Sequence, residues 1–556
     1  MSDNKQQDLG FIGLLKSFPR PFWVASAMEL FERWAWYGLF AVLALYLTGS
    51  TDEGALGFNH IQKGEIMSYV TFILYLLPII TGAIADKIGY KKSLIIAYTL
   101  LGTGYYFMGQ VTSYTAVFLV FLWVAVGAAM FKPVASAIVT KSTDKRNSSF
   151  GFGVFYMMVN IGGFFGPLFS AKLRDQFGWK IVFIMAASAI AVNMLLVLFV
   201  FKEPNREESK ESFGQMINKS VKNIIEALSD MKLTLLLLIM VGFWLMFNQL
   251  FYTLPTFIED WVNTKPLGEF LDKAALVPQF FADFFKNKEG GVNPEMIVNL
   301  DAFFIVVFQM LISTIILKWK PINAMMSGIM IAIIGIALSF YTNNVFYTIF
   351  GIFIFAIGEM TSNPKFSDYI AKISPKGKEA LYMGTYFLPI ALANLLTKWI
   401  TGDLYEKYSD KVSLLERALA EKGIQLPEVG SPLTKQEFID KLHTLQAINV
   451  EEVLKFIPPE EHIENWKPVV TQIKEYAKQH GIENLPLSGE FSKNDLIHRA
   501  AEALHMTPDQ LTQYLWDTYH PGQIWYIIAG IGLITIVGLV IYDRVVAARA
   551  KKNLTA

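Results

Sequence analysis

The stretch GAIADKIGYKK, residues 82–92, directly follows the second long apolar segment of the chain. Gly82 and Gly89 permit close approach of neighbouring backbone and a tight turn. Asp86, beside Lys87, can engage a neighbouring helix end or a basic group. The pattern predicts a short, charged connection between two spanning helices, in which Asp86 and Lys87 act as a conformational latch or gate.

The composition places most of the chain in lipid. Of 556 residues, 53% are hydrophobic and only 17% are charged, against about 25% in soluble domains. The 48 basic and 48 acidic residues balance, which gives no indication of a nucleic-acid partner. Because cysteine is absent, disulfides, thiolate catalysis and cysteine-based metal sites are excluded.

Twelve segments have the apolar length that is needed to cross a membrane. They are residues 21–48, 64–85, 92–112, 115–139, 150–174, 179–201, 232–257, 299–318, 321–342, 344–363, 380–401 and 522–543. We therefore predict an all-α membrane protein. Its parts are an N-terminal bundle (1–201), a linker (202–231), five more spanning helices (232–402), an insert (403–521), and a last helix with a tail (522–556).

The basic residues of the loops predict the orientation. Lysine and arginine gather in every second connection, whereas the short 3–4 and 9–10 connections contain none. Such positive loops face the cytoplasm, so both termini are expected there, in a bacterial inner membrane. The N-terminus lacks the pattern of a cleavable signal peptide. The linker shows the apolar face of an amphipathic helix on the inner surface, and the insert is expected outside.

The insert is more polar than the rest of the chain and predicts several short helices. SPLTKQEFIDKL and MTPDQLTQYLW both carry helix-start signals. Six of the seven histidines fall in it: His443, His462, His480, His498, His505 and His520. Their irregular spacing favours solvated surface side chains over a metal site, so no metal is predicted.

The stretch MELFERWAWYGLF, residues 28–40, places three ionisable groups in the first apolar segment. Glu29, Glu32 and Arg33 share one helix face, which Trp36 and Tyr37 extend. A charge at the membrane centre costs about 2.5–3.5 kcal/mol on the mildest scale, so this face must meet water or counter-charges. A salt bridge with a purely structural role, holding the helices of the bundle together, needs only one carboxylate for one arginine. Two carboxylates beside one guanidinium predict that one takes up a proton.

Four motifs together resemble the proton-dependent oligopeptide transporter family. They are ELFER (29–33), GAAMFKP (127–133), FYMMVNIGGFFGP (155–167) and GEMTSNP (358–364). Residues 82–92 also fit the G-x-x-x-D-[RK]-x-G-x-[RK]-[RK] loop of the major facilitator superfamily. The resemblance covers all twelve segments but not the insert. It implies the major facilitator fold, with two six-helix bundles, and proton-coupled import of di- and tripeptides by alternating access.

The resemblance also implies a substrate site that both bundles form. Its members would be Arg33, Trp36, Tyr37, Tyr75, Lys132, Asn160, Asn248, Asn299 and Glu359. Glu29, Glu32, Arg33 and Glu359 would couple protons, which are the coupling ion in place of any cofactor. Arg33 and Lys132 would meet the peptide carboxylate, and Glu359 its α-amino group. Four positions depart from the family. Trp36 replaces a tyrosine, Asn248 a common acid that could carry a proton, Val134 an asparagine, and Asn363 a common serine.

The charges of these residues support a peptide site independently of the resemblance. A zwitterionic peptide needs cations at one end and an anion at the other; the first half supplies Arg33 and Lys132, and the second half Glu359. Lys132 could instead snorkel at a helix end, Glu359 could cap a helix, and Tyr37 and Tyr75 could simply pack.

Two other functions remain as alternatives, and two more are disfavoured. The same fold could move another small zwitterionic solute, and a membrane receptor could work through the insert. An ATP-driven pump is disfavoured because no P-loop sequence occurs. An enzyme is disfavoured because the segments hold no nucleophile–base set. The expected partners are small peptides and the lipid bilayer, and the chain is expected to be monomeric.

Overall fold

The structure is a computed structural model that describes residues 11–144, 147–204, 212–274, 277–375, 378–445, 448–460, 463, 465–482 and 484–554. Within these ranges the secondary structure is helical, and the β-contacts are three isolated bridges. This confirms the all-α class. His462 lies outside the described residues.

The N-terminal half contains eight helices. They are α1 (Phe11–Lys16), α2 (Arg20–Thr48), α3 (His60–Leu76), α4 (Pro78–Ile88), α5 (Tyr90–Met108), α6 (Tyr114–Lys141), α7 (Ser148–Phe177) and α8 (Trp179–Leu195), which a π-helical turn, Leu196–Val200, extends. Helices α3 and α4 form one span that bends by 47°. The bend falls at Pro78, because proline favours the first turn of a helix and cannot continue an existing one.

The linker forms α9 (Phe213–Leu228), and the C-terminal half follows it. Its helices are α10 (Met231–Tyr252), α11 (Leu254–Trp261), α12 (Lys265–Lys273), α13 (Gln279–Phe285), α14 (Pro294–Val298), α15 (Leu300–Ile316), α16 (Pro321–Tyr341), α17 (Val345–Ile373), α18 (Glu379–Met383), α19 (Phe387–Lys398), a π-helical segment (Trp399–Leu404) and α20 (Tyr405–Tyr408).

The insert contributes α21 (Lys411–Glu421), α22 (Lys435–Thr444), α23 (Val450–Val453), α24 (Lys467–Gln479), α25 (Lys493–Ala503) and α26 (Pro508–Tyr519), with short 3₁₀ turns at Leu454–Phe456 and Pro521–Gln523. Helix α27 (Ile524–Leu554) is the last span. Thr434 and Thr507, in the two predicted helix-start sequences, each form a capping box at the beginning of α22 and α26.

Most of the predicted spans pass a test of length and apolarity. Eight described helices do so, and the bent α3–α4 pair makes a ninth. The other three predicted segments also form helices, over α2, α5 and α18–α19. Glu32 and Arg33 lower the hydropathy of α2, which is why the segment with the most informative charges has a weak membrane signal. The helix count agrees with the predicted fold.

Two hydrophobic cores organise the molecule. One is formed by α2 to α8, and the other joins α10 to α19, α27 and the insert. The insert packs onto the C-terminal half through aromatic contacts, in which Trp516 lies 6.0 Å from the rings of Phe257 and Trp261. The Trp261 indole also donates to the Ser409 carbonyl at 2.8 Å. The insert is therefore continuous with the C-terminal half.

Close packing of α7 on α2 fixes the level of the charged triplet. A Cβ added at Gly162 would lie 2.5 Å from the Leu30 carbonyl oxygen and 2.8 Å from the Arg33 Cβ. A Cβ at Gly166 would lie 2.6 Å from the Trp34 carbonyl oxygen. Only glycine lets the two backbones approach this far, so the FYMMVNIGGFFGP motif positions Arg33 as well as its own side chains.

The connection at 82–92 makes the predicted turn. Gly89 has φ 101° between α4 and α5, which L side chains rarely adopt. A Cβ at Gly82 would meet Pro133 at 3.6 Å, an ordinary contact, so the expected close approach at Gly82 does not occur in this conformation. Asp86 and Lys87 are exposed at the end of α4, and both make further interactions.

The two halves meet on the side of the molecule that carries the insert. Helix α3 packs against α19, α7 against α14, and α2 against α11. The insert reaches back to the N-terminal half, where the buried Asp52 accepts hydrogen bonds from Ser492 at 3.1 Å and Asn494 at 3.3 Å. A cavity of about 980 Å³ lies there between the halves and the insert. The halves are thus closed against each other on this side.

Candidate substrate-binding site

Helix α2 holds its acid–base triplet inside the protein. Glu29, Glu32 and Arg33 are 7%, 0% and 6% exposed. Arg33 Nε donates to Glu32 Oε2 at 2.5 Å and lies 3.3 Å from Glu29 Oε1, and a second guanidinium nitrogen also contacts Glu32. Glu32 Oε1 has no hydrogen-bond partner among the described residues. One guanidinium therefore serves two carboxylates and leaves one oxygen unsatisfied.

Lys132 adds a second cation to this cluster. Its ammonium lies 4.5 Å above the centre of the Tyr75 ring, and it interacts electrostatically with Arg33, Glu32 and Glu29. Lys132 lies in the interior of α6, next to Pro133, and is half-buried. It therefore points to the triplet instead of snorkelling to the membrane surface.

Trp36 and Tyr37, which extend the face of the triplet, differ in their surroundings. Trp36 is buried and stacks between Phe40, at 5.4 Å, and Phe121, at 6.2 Å. Tyr37 is 37% exposed, and the Arg33 guanidinium carbon lies 5.7 Å from its ring centre. In this conformation Trp36 packs within the bundle, and Tyr37 lines the open space beside the cations.

Glu359 lies on α17 in the opposite half. Its Oε2 is buried without a hydrogen-bond partner among the described residues, while its carboxylate interacts with Asn363. Tyr386 donates to the Asn363 side-chain oxygen at 2.8 Å. Asn363 therefore links Glu359 to Tyr386, and Glu359 retains an oxygen for another donor.

Asp301, on α15, lies near Glu359 and was missed by the motif comparison. It is 3% exposed, its Oδ1 has no partner among the described residues, and its charge interacts with that of Glu359. A signal existed in the sequence, because NLDAFF places an acid at the start of an apolar segment. Its pairing with Glu359 depends on the packing of two helices that are distant in sequence.

Tyrosines connect the two charged regions. Tyr386 interacts electrostatically with Glu359 and with Tyr75 and Tyr156 of the other half, and Tyr156 interacts with Tyr37. The ring of Tyr75 lies 6.2 Å from that of Phe387, the neighbour of Tyr386. The structure thus brings Arg33, Lys132, Tyr37, Tyr75 and Glu359 around one space between the halves. Tyr156 and Tyr386 join them, although sequence reasoning did not assign either.

Two predicted asparagines are engaged within the protein. Asn248 donates to Asn394 at 3.0 Å and to Thr397 at 3.2 Å. Asn299 is 7% exposed and donates to the Phe164 carbonyl of the other half at 2.8 Å. Both therefore hold neighbouring helices together in this conformation.

Asn160 is the third predicted asparagine. It donates to the Tyr156 carbonyl of its own helix at 3.1 Å and is half-buried. Asn160 and Tyr156 therefore lie one turn apart on the same side of α7.

A cluster of charges lies on the insert side, away from this space. His60 Nε2 is 3.2 Å from Asp410 Oδ1, and Lys63 lies 5.0 Å above the Tyr405 ring. Tyr405 donates to Asp260 at 2.8 Å, and burial raises the pKa of Asp260 to about 6. His60 is the one histidine outside the insert. These contacts join both halves and the insert.

The arrangement between the halves can receive a ligand with two opposite charges. Arg33 and Lys132 lie at one end, and Glu359 and Asp301 lie at the other. Tyrosine rings and hydroxyl groups lie between them. Such a polar frame on an aromatic wall matches the usual construction of a small-molecule site.

Residues 25–397 match a family model described as Major Facilitator Superfamily. Among curated proteins, an uncharacterized transporter, YclF, of Bacillus subtilis is 32% identical over 197 residues, which are 34% of this chain and 38% of that protein. Dipeptide and tripeptide permease A of Cronobacter turicensis is 27% identical over 237 residues, 42% and 45% of the two chains. The matches span less than half of these relatives.

Among solved structures, a POT family transporter in complex with 5-aminolevulinic acid superposes with a TM-score of 0.58 at 20% identity. The superposition covers 75% of this chain and 98% of that one. At this identity the likeness concerns the fold. The resemblance predicted from the four motifs is confirmed by these relatives and neighbours.

Proposed function

We propose, from the premise that this chain belongs to the Major Facilitator Superfamily, that it imports small peptides together with protons. Membership of that superfamily makes it an integral membrane transporter and not an enzyme. The proposal adds the substrate, the coupling ion and the direction. Both termini would lie in the cytoplasm, with the insert outside.

The observation that carries the proposal is the separation of charge across the gap between the halves. Arg33 and Lys132 of the N-terminal half lie opposite Glu359 of the C-terminal half, with Tyr75 and Tyr386 between them. A peptide offers a carboxylate and an ammonium group at its two ends. It would therefore bridge the halves at the level where alternating access needs the substrate to lie.

Proton uptake at the triplet would control the cation available to the carboxylate. When Glu29 and Glu32 are both ionised, Arg33 and Lys132 only balance them. Protonation of one acid gives this end a net charge of +1 and releases Arg33 from one of its two partners. A peptide carboxylate then compensates the excess charge. The peptide and the proton bind together, and both leave when the site opens to the cytoplasm.

The proton gradient is large enough for accumulation. One charge moving through 100 mV yields about 2.3 kcal/mol, and one pH unit adds about 1.4 kcal/mol. Because each 1.4 kcal/mol is a factor of ten, one proton supports accumulation of roughly several hundred-fold.

The direct test is uptake into proteoliposomes under an imposed pH gradient, with a panel of short peptides. Glu32→Gln should remove the part of concentrative uptake that the proton of the triplet drives, while exchange of labelled against unlabelled peptide persists. Asp440→Asn, at an acid of the insert whose carboxylate accepts from Gln436 at 2.8 Å, is the matched control and should accumulate normally. Full accumulation by Glu32→Gln would refute the assignment.

A second candidate is another small zwitterion. It is favoured by the named ligand of one structural neighbour, 5-aminolevulinic acid, and by Trp36, which fills space within the bundle. Competition by dialanine separates the two functions. Dialanine should block uptake if peptides are the substrate and should have no effect if the site accepts only single amino-acid-like solutes.

A further inference from the structure

Asp301 is a buried acid that the peptide assignment leaves without a role. It lies in the first turn of α15, is 3% exposed, and has an oxygen with no hydrogen-bond partner among the described residues. An ionised carboxylate in such surroundings is costly unless it is paired. A structural acid would be expected to accept several hydrogen bonds or to meet a cation.

The charged group with which Asp301 interacts is another acid, Glu359. Glu359 comes from α17, which packs against α15, and it also has an oxygen without a partner. The two carboxylates repel each other. Glu359 is half-buried, whereas Asp301 is 3% exposed. The pair therefore has an accessible member and a sealed member.

The groups around the pair provide no compensating cation. Asn363 of α17, Tyr386 and Tyr156 are the polar neighbours of Glu359. No lysine, arginine or histidine among the described residues contributes an interaction to either carboxylate. The nearest lysine along α17, Lys365, donates to the Leu317 carbonyl instead. The N-terminal triplet differs, because Arg33 lies within it.

Two carboxylates that repel each other in a low-dielectric site do not both ionise, so such a pair retains one proton. The singly protonated pair has a net charge of −1. One peptide α-ammonium group, with a charge of +1, compensates it. Without the proton the pair would have a charge of −2, which one ammonium group cannot neutralise.

We propose that Asp301 gives the C-terminal half its own coupling proton, held by the Asp301–Glu359 pair while Glu359 receives the peptide's α-ammonium group. The inference rests on the proposed peptide function and adds a residue to it. The proton enters from the outer water with the peptide and leaves to the cytoplasm with it. Together with one proton on Glu29 or Glu32, each neutral dipeptide moves with two protons. Asp301 thereby replaces the acid that is missing at Asn248.

The experiment is a measurement of the reversal potential of dipeptide flux in proteoliposomes at fixed pH and peptide gradients, which gives the number of protons per peptide. The native chain should give two. Asp301→Asn, which preserves the shape of the side chain, should give one, with uptake retained. Asp301→Glu should restore two. A value that is the same in the native chain and Asp301→Asn would overturn the inference.

Two further measurements distinguish a failure of this inference from a folding defect and from a failure of the proposed function. Exchange of labelled dialanine without a gradient reports a folded carrier, and Asp301→Asn should retain it. If this variant does not fold, the native chain alone still decides, since a ratio of one proton per dipeptide overturns the inference. If the native chain moves no peptide at all, the proposed function fails instead.

Discussion

In the N-terminal half, Glu29 and Glu32 lie against Arg33, whereas in the C-terminal half the charge of Glu359 interacts with that of another acid, Asp301. Both pairs of acids are enclosed, and both have oxygens without partners among the described residues. The difference is the cation. The first pair has Arg33 at 3.3 Å or less, with Lys132 nearby. Among the described residues, the polar neighbours of the second pair are neutral.

This difference shows how acidic side chains can form both ends of a site that binds opposite charges. A cation beside the acids makes one end suited to a carboxylate, and its absence makes the other suited to an ammonium group. With all groups ionised, the N-terminal cluster is neutral and the C-terminal pair has a charge of −2. One proton added to each changes these charges to +1 and −1, which complement a zwitterion. Each half therefore needs a proton before it matches its end of the substrate.

Arg33→Leu is expected to have the largest effect, a loss of stability that the corresponding change in the C-terminal pair does not cause. It leaves two buried carboxylates without their counter-charge, and breaking a buried pair in this way costs roughly 3–5 kcal/mol. Glu359→Gln removes one of two repelling acids, so it should not lower stability. Thermal unfolding of the purified proteins in detergent measures both. A similar loss for the two variants would mean that the C-terminal pair has a counter-charge.

Lys132→Met is expected to have an intermediate effect, confined to one end of the peptide. A hydrogen bond to a charged group contributes about 1.5–3 kcal/mol, so apparent affinity for peptides with a free carboxylate should fall roughly 10- to 100-fold. Affinity for C-terminal amides should hardly change. The exposed Lys232 provides the control, Lys232→Met. Equal losses for acid and amide peptides would remove Lys132 from the carboxylate end.

Tyr252→Phe should have the smallest effect, because it removes a neutral contact between the halves. The Tyr252 hydroxyl lies 2.8 Å from the Thr71 Oγ1 and 2.7 Å from the Asn394 Oδ1. One such hydrogen bond contributes about 0.5–1.5 kcal/mol. Uptake rates should change by roughly two- to tenfold without a change in proton number. A changed proton number would show that this neutral bridge belongs to the coupling path. Tyr341→Phe, on an exposed ring, is the matched control.

The motifs predicted which distant side chains lie near one another better than they predicted the contacts of each side chain. Arg33, Lys132, Tyr75 and Glu359 do lie around one space, because each belongs to a recognisable short pattern. Trp36 and Asn299 are packed or bonded within the protein in this conformation, since the same residue types serve packing and recognition equally well. No pattern assigned Asp301, because a single acid at the start of an apolar segment has no local partner to reveal it.

The sequence by itself determined the membrane class, the helical segments and the acid–base triplet, because apolar length and side-chain spacing act within one helix. Only the tertiary structure decided which distant charges meet, such as Asp301 with Glu359 and Asp52 with the insert. Those contacts depend on how separate helices pack, and the spacing along one helix contains no information about the angle or register of its neighbour.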